Sequence, residues 1–218
     1  ISYSTDKMIS VFKWLRMDIR NKVINTLEQV LNSNYNRGIV IKSRINNKSL
    51  EEISKVFRFT KQRASQILQQ IQKDFDTIHS KIPFLSLIST INGGKNIIEL
   101  DDIYSLCCNN LDVFIYLLKN SKQEYYTYMK EANSFYLVID QIENTLITDY
   151  INKLPNDISP IRIKEIYKEM YNILGLIPSD SMNYLLAKYK KAGNYLSLSR
   201  LDTVDKYALI VRDYFPKG

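Results

Sequence analysis

Four side chains in the first third of the chain, Lys61, Gln62, Ser65 and Gln66, are of the types that read base-pair edges, and they recur at helical spacing. A glutamine amide donates and accepts at once, so it pairs bidentately with adenine N6 and N7. A lysine or arginine reaches guanine O6/N7 or a phosphate. Gln69 continues the same face, and no acid lies between Glu52 and Asp74. A helix face that only meets water is usually filled with Lys/Glu pairs. Here it carries amides, a hydroxyl and cations. The two readings of this pattern are a helix that enters the major groove from its N-terminal turns and an ordinary solvated helical hairpin.

Two short helices with a tight turn would position these groups. Ser49 can cap the first helix, and Glu52, three residues on, completes a capping box. Leu50, Ile53, Val56 and Phe57 are expected on one face of it. Thr60 is a second N-cap, where a new helix must start in a new direction. From there Ala64, Ile67, Leu68 and Ile71 form an apolar stripe that can pack on the first helix, leaving Lys61, Gln62, Ser65, Gln66 and Gln69 outward.

Ser49, Leu50, Glu51, Glu52, Ile53, Lys55, Phe57, Thr60, Arg63, Gln66 and Ile67 match, without a gap, the pattern S-L-E-E-I-G-K-x-F-G-V-T-R-E-R-V-R-Q-I. The stretch from about Arg37 to Phe75 therefore resembles region 4 of the bacterial sigma-70 family, the module that reads the −35 promoter element. The resemblance implies a helix-turn-helix that docks in the major groove. It also implies that the segment before it, Gly38 to Ile45, is helical, although periodicity alone leaves strand and helix open there. The departures are specific. The turn glycine of the pattern is Arg58 here, so a residue with a side chain would adopt positive φ, at a cost of roughly 1 kcal/mol. Two base-reading positions, Glu and Arg in the family, are Gln62 and Ser65 here. The docking geometry is carried over by the resemblance, and the standard −35 sequence preference is not.

Charge supports the same reading independently. The 218-residue chain has net charge +7, and residues 37–75 hold nine Lys/Arg against three acids, a net +6 in 39 residues. Such clustering is the footprint of a phosphate-binding module. Arg37, Lys42, Arg44, Lys48, Lys55, Arg58 and Arg63 are the expected phosphate-binding residues, which position a module without reading sequence.

The remaining residues offer little other chemistry. His79 is the only histidine, and Cys107 and Cys108 are adjacent, with no CxxC spacing. Neither a zinc site nor a His-activated nucleophile can be assembled from that set. The cysteines are expected to be reduced core residues, and His79 a bystander. Gly93-Gly94-Lys95 lacks the rest of a phosphate-binding loop. No enzyme activity, metal or cofactor is expected.

With 45% hydrophobic residues, only 6 Gly and 5 Pro, and no apolar run of membrane-span length, the expected fold is mainly α. It is a helix-turn-helix module followed by one or two winged-helix-like modules with short β-hairpins. Ile9, Phe12, Leu15, Ile19, Val23 and Leu27 give a loose helical stripe, with Trp14 and Met17 beside it. Residues 1–90 are expected as the first domain, with the recognition helix running to about His79. The boundary falls at Thr90–Asn96, followed by 95–140 as a winged-helix module and 141–218 as a second. Within 95–140, two short helices precede β-prone runs around Glu131-Ala132-Asn133. Within 141–218, helices over Gln141–Leu154 and Pro160–Leu174 come first, then Ser179 caps a helix over Asp180–Lys190. A strand-like Tyr195-Leu196-Ser197-Leu198-Ser199-Arg200 follows, and Lys206–Phe215 is a returning strand or helix. The element order and the Tyr195–Arg200 run resemble HARE-HTH winged-helix domains. Lys188, Lys190, Lys191 and Arg200 make a second, smaller basic patch.

The expected function is sequence-selective binding of duplex DNA, as a cytoplasmic, nucleoid-associated transcription regulator or sigma-like factor. RNA polymerase or a larger DNA-acting complex is a possible partner, and no membrane is expected. The alternative is the DNA-targeting segment of a larger DNA-acting enzyme of restriction, defence or mobile-element type.

Overall fold

The computed structural model describes residues 5–32, 35–122, 124–138, 144–198 and 211, which fall into two compact units. The first comprises residues 1–128 and 134–137, and the second comprises 129–133 and 138–218. Among the described residues the protein is mainly helical with two small antiparallel sheets, and no helix is long and apolar enough to cross a membrane.

In the first unit, α1 (Thr5–Asn32), α2 (Tyr35–Ile45), α3 (Leu50–Phe57), α4 (Lys61–His79) and α5 (Phe84–Ile91) precede β1 (Ile97–Glu99). Then come α6 (Leu100–Tyr104), α7 (Leu111–Asn120), β2 (Tyr126–Met129) and β3 (Ser134–Leu137). Only the second half of the α1 stripe is buried, through Ile19, Val23, Leu27 and Val30. Ile9 and Phe12, expected in the same stripe, are exposed. The core continues through Val40 and Ile41 of α2, Ile53 of α3, and Ala64, Ile71 and Phe75 of α4. Phe75, Phe84 and Phe114 meet at 5.1–6.3 Å between ring centroids, which ties α4, α5 and α7 together. Phe114 belongs to a largely buried helix: Leu111, Val113, Phe114, Ile115, Leu117 and Leu118 of α7 are all covered.

The sheet of this unit has order β1-β3-β2, with Ile98 opposite Phe135 in antiparallel register. Gly93 and Gly94, expected at a domain boundary, instead form a positive-φ turn (φ 86° and 74°) that leads from α5 to β1 inside the unit. Gly94 N–H donates to Ser89 O at 2.9 Å, so the pair is a tight turn between packed elements and not a linker. The chain passes between the compact units instead after residues 128, 133 and 137.

In the second unit, α8 (Asn144–Asn152), β4 (Asp157–Ile158), α9 (Pro160–Leu174), α10 (Pro178–Lys188), β5 (Lys190–Ala192) and β6 (Tyr195–Ser197) surround a separate core. Ile158, Ile166, Tyr167, Met170, Leu185 and Leu196 are central to it. The α9 helix begins on a Ser159 side-chain cap, with Pro160 in its first turn, and ends at Gly175 with φ 67°. Its register across from α8 is held by Glu169, which accepts from Tyr150 Oη at 2.5 Å and from Arg162 at 2.7 Å. The Tyr150 hydrogen bond, ahead of Arg162, holds the Glu169 carboxyl below its ordinary range despite partial burial. Ser179 is not the cap of α10: the helix starts two residues earlier than expected, at Pro178, whose fixed φ suits the first turn, and Ile177 takes the cap position. Lys190, expected at the end of that helix, lies in β5. Arg200 and Lys206–Phe215 lie outside the described residues, Val211 excepted.

The order helix–strand–helix–helix–strand–strand occurs in both units. It runs α5-β1-α6-α7-β2-β3 in the first and α8-β4-α9-α10-β5-β6 in the second. In each sheet the last strand sits between the other two: β1-β3-β2 and β4-β6-β5.

Candidate nucleic-acid interface

The α3–turn–α4 hairpin is built by its caps. Ser49 Oγ accepts from Glu52 N–H at 3.2 Å, and Ser49 N–H donates to Glu52 Oε2 at 2.7 Å, so both halves of the capping box are present. The Ser49 backbone N–H is the main reason the Glu52 carboxyl is held below its usual range, with the Ser49 hydroxyl adding to it. Thr60 Oγ1 accepts from Arg63 N–H at 3.1 Å and starts α4 in a new direction. Between the caps, Arg58 sits in the left-handed region at φ 54°, ψ 41°, where the resemblance put a glycine. Arg58 and Phe59 N–H both donate to Ser54 O, which stops α3, and the Phe57 and Phe59 rings stack at 5.6 Å over the turn.

One face of α3 differs from expectation. Ile53 and Ser54 are buried and Leu50 and Phe57 partly so, but Val56 is exposed. Residues 50, 53, 54 and 57 share a helical face, and position 56 is turned about 100° away from 57. Ser54 tolerates the buried place because its hydroxyl donates to Glu51 O at 2.7 Å.

Along α4, Ala64, Ile67, Ile71 and Phe75 face inward. Lys61, Gln62 and Gln66 are exposed near its N-terminus, and Ser65 is half-buried at the edge of the same surface. Gln69, Gln70 and Lys73 extend the polar surface for two more turns. A groove of about 530 Å³ runs beside them, lined by Arg37, Arg63, Gln66, Ile67, Gln69, Gln70 and Lys73. Gln70 and Lys73 were not singled out from the sequence, though their i+4 and i+7 spacing from Gln66 marks that face.

The predicted phosphate-binding residues divide by environment. Lys42, Lys48, Arg58 and Arg63 are exposed. Arg44 is exposed and steadies the entry loop by donating to Lys48 O at 3.2 Å. Lys55 lies 3.0 Å from Glu51, one turn back on α3, and holds that carboxyl below its ordinary range. Arg37 is different: its guanidinium donates to Asp74 Oδ2 at 2.6 Å and to Val30 O at 3.0 Å, and its side chain is 14% exposed. It clamps α1, α2 and α4 to one another at one wall of the groove.

His79 is not a bystander. It is buried at the C-terminal end of α4, stacked on Phe84 at 5.6 Å and beside Phe75 at 5.3 Å. Cys107 and Cys108 are free; Cys107 is exposed at φ 50° and Cys108 half-buried, so neither belongs to the inner core. Burial pushes the Cys108 thiol upward. Among the described residues no cluster of three His, Cys, Asp or Glu could hold a metal ion. In the second basic patch, Lys190 and Lys191 are exposed on β5. Lys188 instead donates to Ile151 O and Asn152 Oδ1.

Comparison with protein-family models, with curated proteins and with solved structures returns no match.

Proposed function

We propose that the protein binds duplex DNA sequence-selectively, laying α4 in the major groove as a non-enzymatic reader. The observation that carries this reading is the capped α3–turn–α4 hairpin, with Lys61, Gln62 and Gln66 exposed on the first turns of its second helix. Ser65 stands at the edge of that surface. Lys42, Arg44, Lys48, Lys55, Arg58 and Arg63 supply cations around it, in the segment that concentrates the positive charge. The resemblance to sigma region 4 points the same way, to a transcription regulator or sigma-like factor.

The repeated helix–strand–helix–helix–strand–strand order, with the last strand central, supports reading both repeats as winged-helix modules. The third helix of such a module is the usual groove reader. In the first repeat that helix is α7, whose apolar residues are buried against α1, α2, α4 and α6. This favours α4 as the reading helix of the first unit.

The test is selection from randomised duplexes with the wild type, Gln62→Glu and Gln62→Ala. An amide suits adenine, whereas a carboxylate can only accept and suits cytosine N4. The wild type should enrich a site with an A·T pair opposite Gln62, and Gln62→Glu should shift that one position towards cytosine, by about 1–3 kcal/mol. Gln62→Ala should relax it. Failure to enrich any sequence, or three identical profiles, overturns the reading of bases by α4.

A further inference from the structure

Gln62, Gln66, Gln69 and Lys73 follow one another along α4 at helical spacing, so they fall within an arc of about 60° on its exposed side. None of these side chains has a hydrogen-bond or ion-pair partner among the described residues. Their neighbours on the same turns are engaged. Gln70 donates to Asp74 Oδ1 at 2.7 Å, and Gln72 donates to Asp76 Oδ1 at 3.0 Å and to Leu117 O at 3.1 Å. Asp74 also receives Arg37, so the acid nearest the stripe's cation is already paired and lies on another side of the helix.

Relief sets the same residues apart. The groove beside Arg37 and Arg63 follows one flank of α4, and a second depression, lined by Gln72, Asp76, Thr77 and Ser80, follows the other. Gln69 and Lys73 border both, so they stand on the crest of a ridge one helix wide. A ridge of about 10–12 Å fits a major groove about 12 Å across.

We infer that α4 lies lengthwise in the major groove, with Gln69 as a third base-reading amide and Lys73 on the phosphate beyond it. This rests on the reading of α4 as the DNA helix and extends it, since entry by the N-terminal turns alone leaves Gln69 and Lys73 outside the duplex. A free amide on the crest donates and accepts at once, which suits adenine N6 and N7. From Gln62 to Gln69 the helix rises about 10 Å, which sets the two bases roughly two or three pairs apart. Asp76 fixes the far end. It follows Lys73 by less than one turn near the same arc, and a carboxylate there repels the phosphate backbone.

The test is selection from randomised duplexes with the full chain as wild type, Gln62→Ala, Gln69→Ala and Gln69→Glu, together with the salt dependence of Lys73→Ala. All four substitutions are on exposed positions, and helical circular dichroism checks that each variant is folded. The wild type should specify an A·T pair two or three positions from the one that Gln62→Ala relaxes. Gln69→Ala should relax this second pair alone, on the order of ten-fold, and Gln69→Glu should turn it towards cytosine. Lys73→Ala should flatten the slope of log affinity against log salt by about one. If the Gln69 variants keep the wild-type profile while Gln62→Ala changes it, lengthwise docking is overturned and base reading by the first turns stands. An unchanged slope in Lys73→Ala overturns it equally. If no variant changes the profile, or no sequence is enriched, both readings fall together.

Discussion

Glu124 Oε1 lies 3.2 Å from His79 Nε2, and the same carboxylate receives the first turn of α5. Leu85 N–H donates to Oε1 at 2.9 Å, and Ser86 N–H and Oγ donate to Oε2 at 3.0 and 2.8 Å. The other ring nitrogen of His79 faces Ile82 O at 3.1 Å. With side-chain exposures of 1% and 6%, the pair ties the end of α4 to the start of α5 and to the segment entering β2. Removing the carboxylate leaves the buried imidazole and the Leu85 N–H without their partner, while water can reach the exposed Ser86 donors. Glu124→Ala should therefore lower stability by about 1–3 kcal/mol, the cost of leaving buried polar groups without a partner. Chemical denaturation checks this. A loss below about 1 kcal/mol would show that water replaces the carboxylate without penalty.

Arg37 and Lys42 lie on the same helix and separate fold from binding. Arg37→Ala removes charge-assisted hydrogen bonds to Asp74 and to the Val30 carbonyl, so a loss of about 1.5–3 kcal/mol is expected. Lys42→Ala, on the surface, should stay within about half a kcal/mol. Paired denaturation curves decide, and equal stabilities would place Arg37 among the free surface cations.

Salt dependence tests the phosphate contacts. With five to seven of the clustered cations on phosphates, log affinity should fall against log salt with a slope of roughly −4 to −6. Lys48→Ala should flatten that slope by about one and weaken all sequences alike. Affinity that ignores salt would contradict duplex binding through this surface.

The capping box predicts a pH response of known sign. The Glu52 carboxyl is held low in the folded chain by the Ser49 N–H, so its contribution is complete above the unfolded value of about 4.3. It is lost as pH falls through the lower, folded value. Glu52→Gln keeps a neutral acceptor and loses the titration. The thermal midpoints of the two proteins should differ at neutral pH and converge as pH drops below about 4. A gap that is constant with pH would mean that the carboxylate is not the working cap.

Local chemistry was legible without coordinates. Ser49, Glu52 and Thr60 announce two helix starts, because a cap is a contact between residues three apart and needs nothing from the rest of the chain. The span of α4, the β2–β3 turn around Glu131–Asn133 and the limits of α9 follow from equally local signals. The resemblance implies positive φ at Arg58, and the turn between α3 and α4 holds it there in the left-handed region. What tertiary structure alone decided lies in longer separations. Strands β1, β4 and β5 hold two or three residues each, too few to show a period, and exist because β3 and β6 pair with them. The Arg37–Asp74 and His79–Glu124 pairs span 37 and 45 positions, so chain folding, not spacing, chose which cation stays free and which histidine is buried. For the same reason the stripe of α1 reads as uniformly apolar in sequence. Only the reach of the core, ending near Ile19, separates its packed half from its bare one.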